Sequence, residues 1–168
     1  MGFSLVPKGF YSRVTDIRPE QLTARGITLL LADLDNTLVP YKTPEPDRAI
    51  RDWKAQLQAG GVELFLLSNS RKPGRPGRFA KALGIDFVGH AGKPGVKGYR
   101  EAMSRTGRTP EQTAMVGDQI FTDILGGNRA GVTTLLVQPI RLAGNPGRYL
   151  RYWVETPFRL LARHRGQL

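Results

Sequence analysis

Ile27-Thr28-Leu29-Leu30-Leu31-Ala32-Asp33-Leu34-Asp35-Asn36-Thr37-Leu38 is an apolar run that ends abruptly on two carboxylates. Its apolar part is a continuous block rather than an alternation, the pattern of a strand covered on both faces of a parallel sheet. Val62–Leu67 and Val132–Val137 repeat that pattern, Thr113–Val116 is a shorter and more mixed run, and Asp86–Val88 adds a short fifth strand. Between the first two strands, Ala49, Ile50, Trp53 and Leu57 recur at helical spacing within 46–59, and Gly60-Gly61 stops the helix. Pro94–Arg105 and Ile120–Ala130 also read as helices, the second closed by Gly131, whereas Arg71–Gly77 is rich in Gly, Pro and Arg and reads as a loop. Strands alternating with helices over short connections predict an α/β fold with a Rossmann-like, doubly wound parallel sheet.

The chain has 168 residues, 40% of them hydrophobic and 23% charged, which suits one globular domain over 1–168 and argues against disorder. It has no cysteine, so thiol catalysis, disulfides and thiolate metal sites are excluded, and His90 and His164 are too few for the common zinc sites. The net charge of +11 points to nucleic acid, anionic lipid or phosphorylated small molecules as partners. Most of it lies in two places. Arg71 to Arg108 holds ten basic residues against Asp86 and Glu101, a net +8, and the stretch from Gln138 holds six arginines against Glu155, a net +5. The remainder is slightly acidic. No segment approaches the roughly 18 apolar residues of a membrane span, and Met1 to Phe10 lacks the pattern of a signal peptide, so a cytoplasmic location is expected.

The carboxylates gather where strands end. In an open parallel sheet, ligands bind outside the carboxyl ends of the strands. Two acids spaced as Asp33 and Asp35 can point to the same side there, at a cost unless a cation or shared proton offsets their repulsion. For an isolated pair, a turn or helix cap is the commoner explanation. Here the pair has company: Ser68-Asn69 closes the second strand, Lys93 sits ahead of a predicted helix, and Gly117-Asp118 closes the fourth, followed by Asp123 on the next helix. Each of these is weak alone. Their order and their matching positions at strand ends make a structural coincidence a poor account.

This constellation resembles the haloacid dehalogenase (HAD) superfamily of phosphotransferases over about 27–137. Leu34-Asp35-Asn36-Thr37-Leu38-Val39, with Gly117-Asp118-Gln119 and Thr122-Asp123 through Gly131, resembles the YqeG-like subfamily IIIA phosphatases in particular. Fungal and plant members of that group are phosphatidylglycerophosphate phosphatases, and the likeness extends to the lead-in over 15–26. The resemblance implies that Asp33 is the nucleophile, forming an aspartyl-phosphate, and that Asp35 is the general acid and base. It implies Mg²⁺ held by Asp33, the backbone carbonyl of Asp35, and Asp118, with Ser68 and Lys93 on the phosphoryl oxygens. Thr37, Asn69 and Asp123 would have supporting roles. An intact Asp35 favours phosphatase chemistry over dehalogenation. A receiver domain would carry its acidic pair and its phosphorylated Asp on different strands, with no acidic motif after the Lys, and here Asp118 and Asp123 follow Lys93.

The gaps between these motifs limit the substrate. Between Asp35 and Ser68 there is room for one crossover helix, and only 24 residues separate Ser68 from Lys93, so no large cap domain fits and an open site is expected. The basic extension over 139–168 carries Leu150, Trp153, Val154, Phe158 and Leu161 at helical spacing among Arg148, Arg151, Arg159, Arg163 and Arg165. That is the composition of a surface that rests on anionic lipid, although a stripe packed on the domain would have the same spacing. Thr156-Pro157 reads as a helix start, so two short helices or a kink are expected there. The leading expectation is therefore a phosphatidylglycerophosphate phosphatase at the inner membrane face. The alternatives are a capless phosphatase acting on a protein, a nucleic-acid end or a soluble metabolite, and a non-enzymatic RNA- or ribosome-binding protein. The last is weakened by the lack of RNA-binding aromatic motifs.

Overall fold

The computed structural model of the chain describes residues 3–141 and 146–168. The start of the N-terminal segment (1–2) and four positions of the basic extension (142–145) lie outside the described residues. Six strands form one sheet: β1 (Gly9–Tyr11), β2 (Leu29–Ala32), β3 (Glu63–Leu67), β4 (Phe87–Val88), β5 (Thr113–Gly117) and β6 (Thr133–Val137). Their order is β1-β6-β5-β2-β3-β4, and every pairing is parallel. The helices are α1 (Pro19–Thr23), α2 (Arg48–Ala59), α3 (Arg75–Leu83), α4 (Lys97–Thr106), α5 (Leu125–Ala130) and α6 (Pro146–Arg165).

Continuous apolar strands are explained by two cores. Alternate residues point to opposite faces. On one face, Leu30, Ala32, Leu64, Leu66, Ala114 and Val116 pack beneath Trp53 and Leu57 of α2 and Phe79 of α3. On the other, Leu29, Leu31, Phe65, Leu67 and Met115 pack beneath Tyr99, Ala102 and Met103 of α4. Trp53, fully enclosed, donates its indole N–H to the Ile17 carbonyl at 2.9 Å, fastening the 15–26 lead-in to α2.

All five predicted strands are present, and the differences lie in local geometry. β1 was not foreseen; three residues bear little pattern, and its place comes from pairing with β6. α3 begins at Arg75, inside the stretch read as a loop. Gly74 turns the chain at φ 67°, and Pro76 lies in the first turn, where its fixed φ suits a helix. The stretch 120–130 is not one α-helix: a π-helical turn over Ile120–Ile124 precedes α5. α6 is continuous through Pro157 and does not break into two. Pro157 lies on the exposed side of the helix, where water can serve the carbonyl that the missing N–H leaves free.

The sheet sets the position of the site. β2 is flanked by β3 on one side and β5 on the other, so the chain reverses its direction of travel across the sheet at β2. Ala32 is level with Leu66 of β3 and Val116 of β5. Asp33, Ser68 and Asp118 therefore leave the sheet at one edge, at the switch point where such folds bind ligands. The connections after β2 and β3, residues 33–47 and 68–74, leave no room for a large cap.

Candidate active site

Lys93 is the hub of the site. Its ammonium is buried, 2.8 Å from Asp33 Oδ1, 2.7 Å from Asp123 Oδ1 and 2.8 Å from the Leu67 carbonyl. Those three acceptors match its three donors. Burial alone would push its pKa down, but Asp123 and then Asp33 outweigh that and hold it above the ordinary lysine value. Asn69 fixes the Lys93 backbone at two points, donating to its carbonyl and accepting from its N–H, both at 2.9 Å. The side chain of Asn69 is thus occupied in positioning Lys93.

Asp33, Asp118 and Asp123 are all buried, and each offers an oxygen within 4.8 Å of the others. Asp118 accepts from the Thr37 hydroxyl at 3.3 Å, and Asp123 accepts from the Gln119 N–H at 3.1 Å. The π-helical turn brings Asp123 back over Gly117, where a Cβ would stand 2.2 Å from the Asp123 carboxylate. Any side chain at 117 would displace that acid. Three carboxylates against one ammonium leave surplus negative charge in an all-oxygen setting, which fits a hard divalent cation. Without one, burial, then Asp33 and Asp123, push Asp118 well above the carboxylate range. Burial raises Asp123 to about 6 against the pull of Lys93.

These raised values have a measurable consequence. Folded protein keeps protons on Asp118 and Asp123 that the unfolded chain has released, so their stabilisation is full below about pH 4 and is lost as pH rises through about 6 for Asp123. A cation bound among these carboxylates would take the protons' place. The increase in melting temperature on replacing EDTA with MgCl₂ is expected to grow between pH 4 and pH 7. A gain independent of pH would show that the cation binds elsewhere.

Asp35 stands apart from that cluster. Its carboxylate is 2.7 Å from the guanidinium of Arg75, which also donates to the Thr43 carbonyl at 3.1 Å. Burial raises the Asp35 pKa, Arg75 opposes the shift, and Asp33 adds to it. Its side chain is thus free of the carboxylate cluster. Immediately after Asp35, Asn36 adopts φ 65°, a left-handed conformation that Asn tolerates, and its N–H donates to the Val39 carbonyl at 2.7 Å. Asp33 and Asp35 both line the same cleft.

The cleft has a volume of about 640 Å³ and is lined at its base by Asp33, Asp35, Ser68 and Lys93. Ser68 is buried, and its hydroxyl accepts from the Ser70 N–H at 3.1 Å. The mouth is cationic, with Arg71 and Lys72 from one side and Arg148 and Arg151 of α6 from the other. The Tyr41 ring lies between them, 4.6 Å from the Lys72 ammonium and 5.2 Å from the Arg148 guanidinium. Arg75, Arg148 and Arg151 had no motif to identify them, because they reach the site through helices remote in sequence.

α6 also supports the floor. The buried Arg159 donates to the backbone carbonyl of Asp118 and pairs with the buried Glu155 at 2.8 Å; Glu155 in turn accepts from the Phe121 N–H at 3.1 Å. Arg159 is therefore not a solvated charge, as its place in the basic extension suggested. The apolar stripe is not packed on the domain either: Leu150, Trp153, Val154 and Leu161 are exposed, and only Phe158 is partly covered.

A doubly wound sheet that converges acids, a serine and a buried lysine at its switch point defines a hydrolase of the HAD type. Known proteins agree. The HAD-hydrolase-like family model matches residues 90–139. The probable phosphatase YqeG of Bacillus subtilis is 32% identical over 157 residues, covering 94% of this chain and 90% of its own. The chain belongs to the YqeG-like phosphatases of the HAD superfamily. The chloroplastic phosphatidylglycerophosphate phosphatase 1 of Chlamydomonas reinhardtii is 33% identical over 165 residues, covering 85% of this chain and 61% of its own. In fold, the chain is similar to 3-deoxy-D-manno-octulosonate 8-phosphate phosphatase from Yersinia pestis, with a TM-score of 0.53 at 20% identity, over 88% of each chain. The chain is thus a phosphatase, and the non-enzymatic RNA-binding alternative is set aside.

Proposed function

We propose that this phosphatase hydrolyses a lipid phosphomonoester of the phosphatidylglycerophosphate type, through an aspartyl-phosphate on Asp33 and with Mg²⁺. In this reading Asp33 attacks phosphorus as the ester P–O bond breaks, and Asp35 gives its proton to the leaving oxygen. Asp35 then takes a proton from water, whose oxygen attacks phosphorus and releases phosphate and free Asp33. Ser68 and Lys93 hold the phosphoryl oxygens, where charge develops in a loose transition state. Asp33, Asp118 and the Asp35 carbonyl would hold Mg²⁺, with Asp123 and Thr37 steadying them. The cation's contribution is to offset repulsion between a carboxylate and a phosphate dianion.

The observation that carries the substrate class is the open, cationic mouth over a carboxylate floor, and the likeness to phosphatidylglycerophosphate phosphatases supports it. An anionic lipid surface is then the natural partner, and the cytoplasmic face of the inner membrane the natural place. No helix among the described residues is long and apolar enough to cross a membrane. Packing of α6 on Ile120, Ile124 and Leu136 supports one phosphatase unit over 1–168, with 139–168 as its basic extension.

Phosphate release from phosphatidylglycerophosphate, a phosphopeptide and a 3′-phosphorylated oligonucleotide, each with MgCl₂ or EDTA, tests the proposal. The lipid is expected to be the preferred substrate, with turnover lost in EDTA. Preference for the peptide or oligonucleotide would reverse the substrate assignment and leave the site chemistry standing.

A further inference from the structure

Six of the nine large hydrophobic side chains exposed among the described residues lie on α6: Tyr149, Leu150, Trp153, Val154, Leu160 and Leu161. Scattered exposed hydrophobics need no explanation, but a concentration on one helix does. Trp153 is 74% exposed and Leu150 69%. At 3.6 residues per turn, these positions fall on the side of α6 opposite Glu155, Arg159 and Ala162, which are buried against the domain. The helix therefore has its polar, charged pair turned inward and its apolar side turned outward. Arg151, Arg163 and Arg165 are exposed along the borders of the apolar side.

We propose that the outer side of α6 docks on an anionic phospholipid bilayer, and that this contact delivers lipid phosphate groups to the active-site mouth. The proposal rests on the lipid reading above for its biological sense. Two observations choose the occupant. An apolar strip bordered by arginines fits the boundary between acyl chains and anionic headgroups, where Trp is at home. A second copy of this chain would instead bring one +11 molecule against another. The strip is also continuous with the site: Arg148 and Arg151, within a turn of Leu150 and Trp153, line the cleft that holds Asp33 and Lys93. On its inner side the same helix grips the Asp118 carbonyl through Arg159. The helix that would meet the bilayer is thus bound directly to the catalytic loop.

Full-length protein, sedimented with phosphatidylcholine vesicles containing or lacking phosphatidylglycerol over a salt series, tests this. The parent is expected to bind the anionic vesicles at least about tenfold more strongly, with binding falling as salt rises. Its tryptophan emission should shift to the blue on binding. Trp53 is already enclosed, so that shift reports Trp153. The triple variant Leu150→Ser, Trp153→Ser, Leu161→Ser is expected to lose vesicle binding while hydrolysing p-nitrophenyl phosphate at the parent's rate, which also shows that it folds. Equal binding by parent and variant, or none by either, overturns the proposal. So does a parent dimer in sedimentation velocity that the variant lacks. Vesicle binding without lipid hydrolysis would overturn the substrate assignment alone, and hydrolysis of detergent-dispersed lipid without vesicle binding would overturn the docking alone.

Discussion

Replacing Asp33 with Asn is expected to lower kcat for any phosphomonoester by at least about 10⁴-fold, the scale seen when a covalent nucleophile is removed. The amide keeps the shape of the carboxylate and still offers Lys93 an acceptor at the position that now lies 2.8 Å away. The fold should therefore persist. Metal-free protein should in fact melt at a higher temperature than the parent, because one of three crowded acids has become neutral. Those two opposite effects, activity lost and stability gained, distinguish a nucleophile from a structural acid. Phosphate release and thermal melting in EDTA, measured on the same preparation, suffice. Activity within tenfold of the parent would remove Asp33 from the reaction.

Lys93→Met should show the reverse pattern in stability. Methionine fills a similar volume but leaves Asp33 and Asp123 buried with no positive partner at 2.8 and 2.7 Å. Removing one partner from a buried pair costs about 3–5 kcal/mol. For a domain of this size that is a fall of roughly 10 °C in melting temperature. The deficit should shrink at acid pH, where the orphaned carboxyls take up protons. Activity should be lost as well, if Lys93 holds the phosphoryl oxygens as proposed. A variant melting within about 2 °C of the parent at pH 7.5 would mean that Lys93 does not neutralise this cluster.

The parts of this molecule legible in its sequence are those in which a single segment carries the signal. Leu29–Ala32 announced a doubly covered strand, and its continuation into Asp33 announced a strand-end site. Asp118 and Lys93 were readable for the same reason, each following or preceding an element with its own pattern. Asp123 was readable as a supporting group but not as a third member of the carboxylate cluster, because the π-helical turn that swings it over Gly117 has no hydrophobic period. Arg75 was hidden in a stretch whose Gly and Pro signalled a loop, and its partner Asp35 is 40 residues away. α6 was legible only as a choice between two arrangements. Its apolar spacing left open whether that side packs on the domain or faces outward; Glu155 and Arg159 are the residues that pack inward, because they satisfy backbone groups of Phe121 and Asp118. Hydrophobic spacing identifies a helix with two unlike sides; which one meets the protein depends on the polar groups waiting there.

The short connections after β2 and β3 affect kinetics as well as shape. Many enzymes must open and shut a lid on every cycle, and that movement often sets their rate. With no large cap among the described residues, this molecule is expected to meet its substrate and part from its product without such a step. Discrimination is then expected to fall to the groups at the rim, Arg71, Lys72, Arg148 and Arg151, which any substrate must pass.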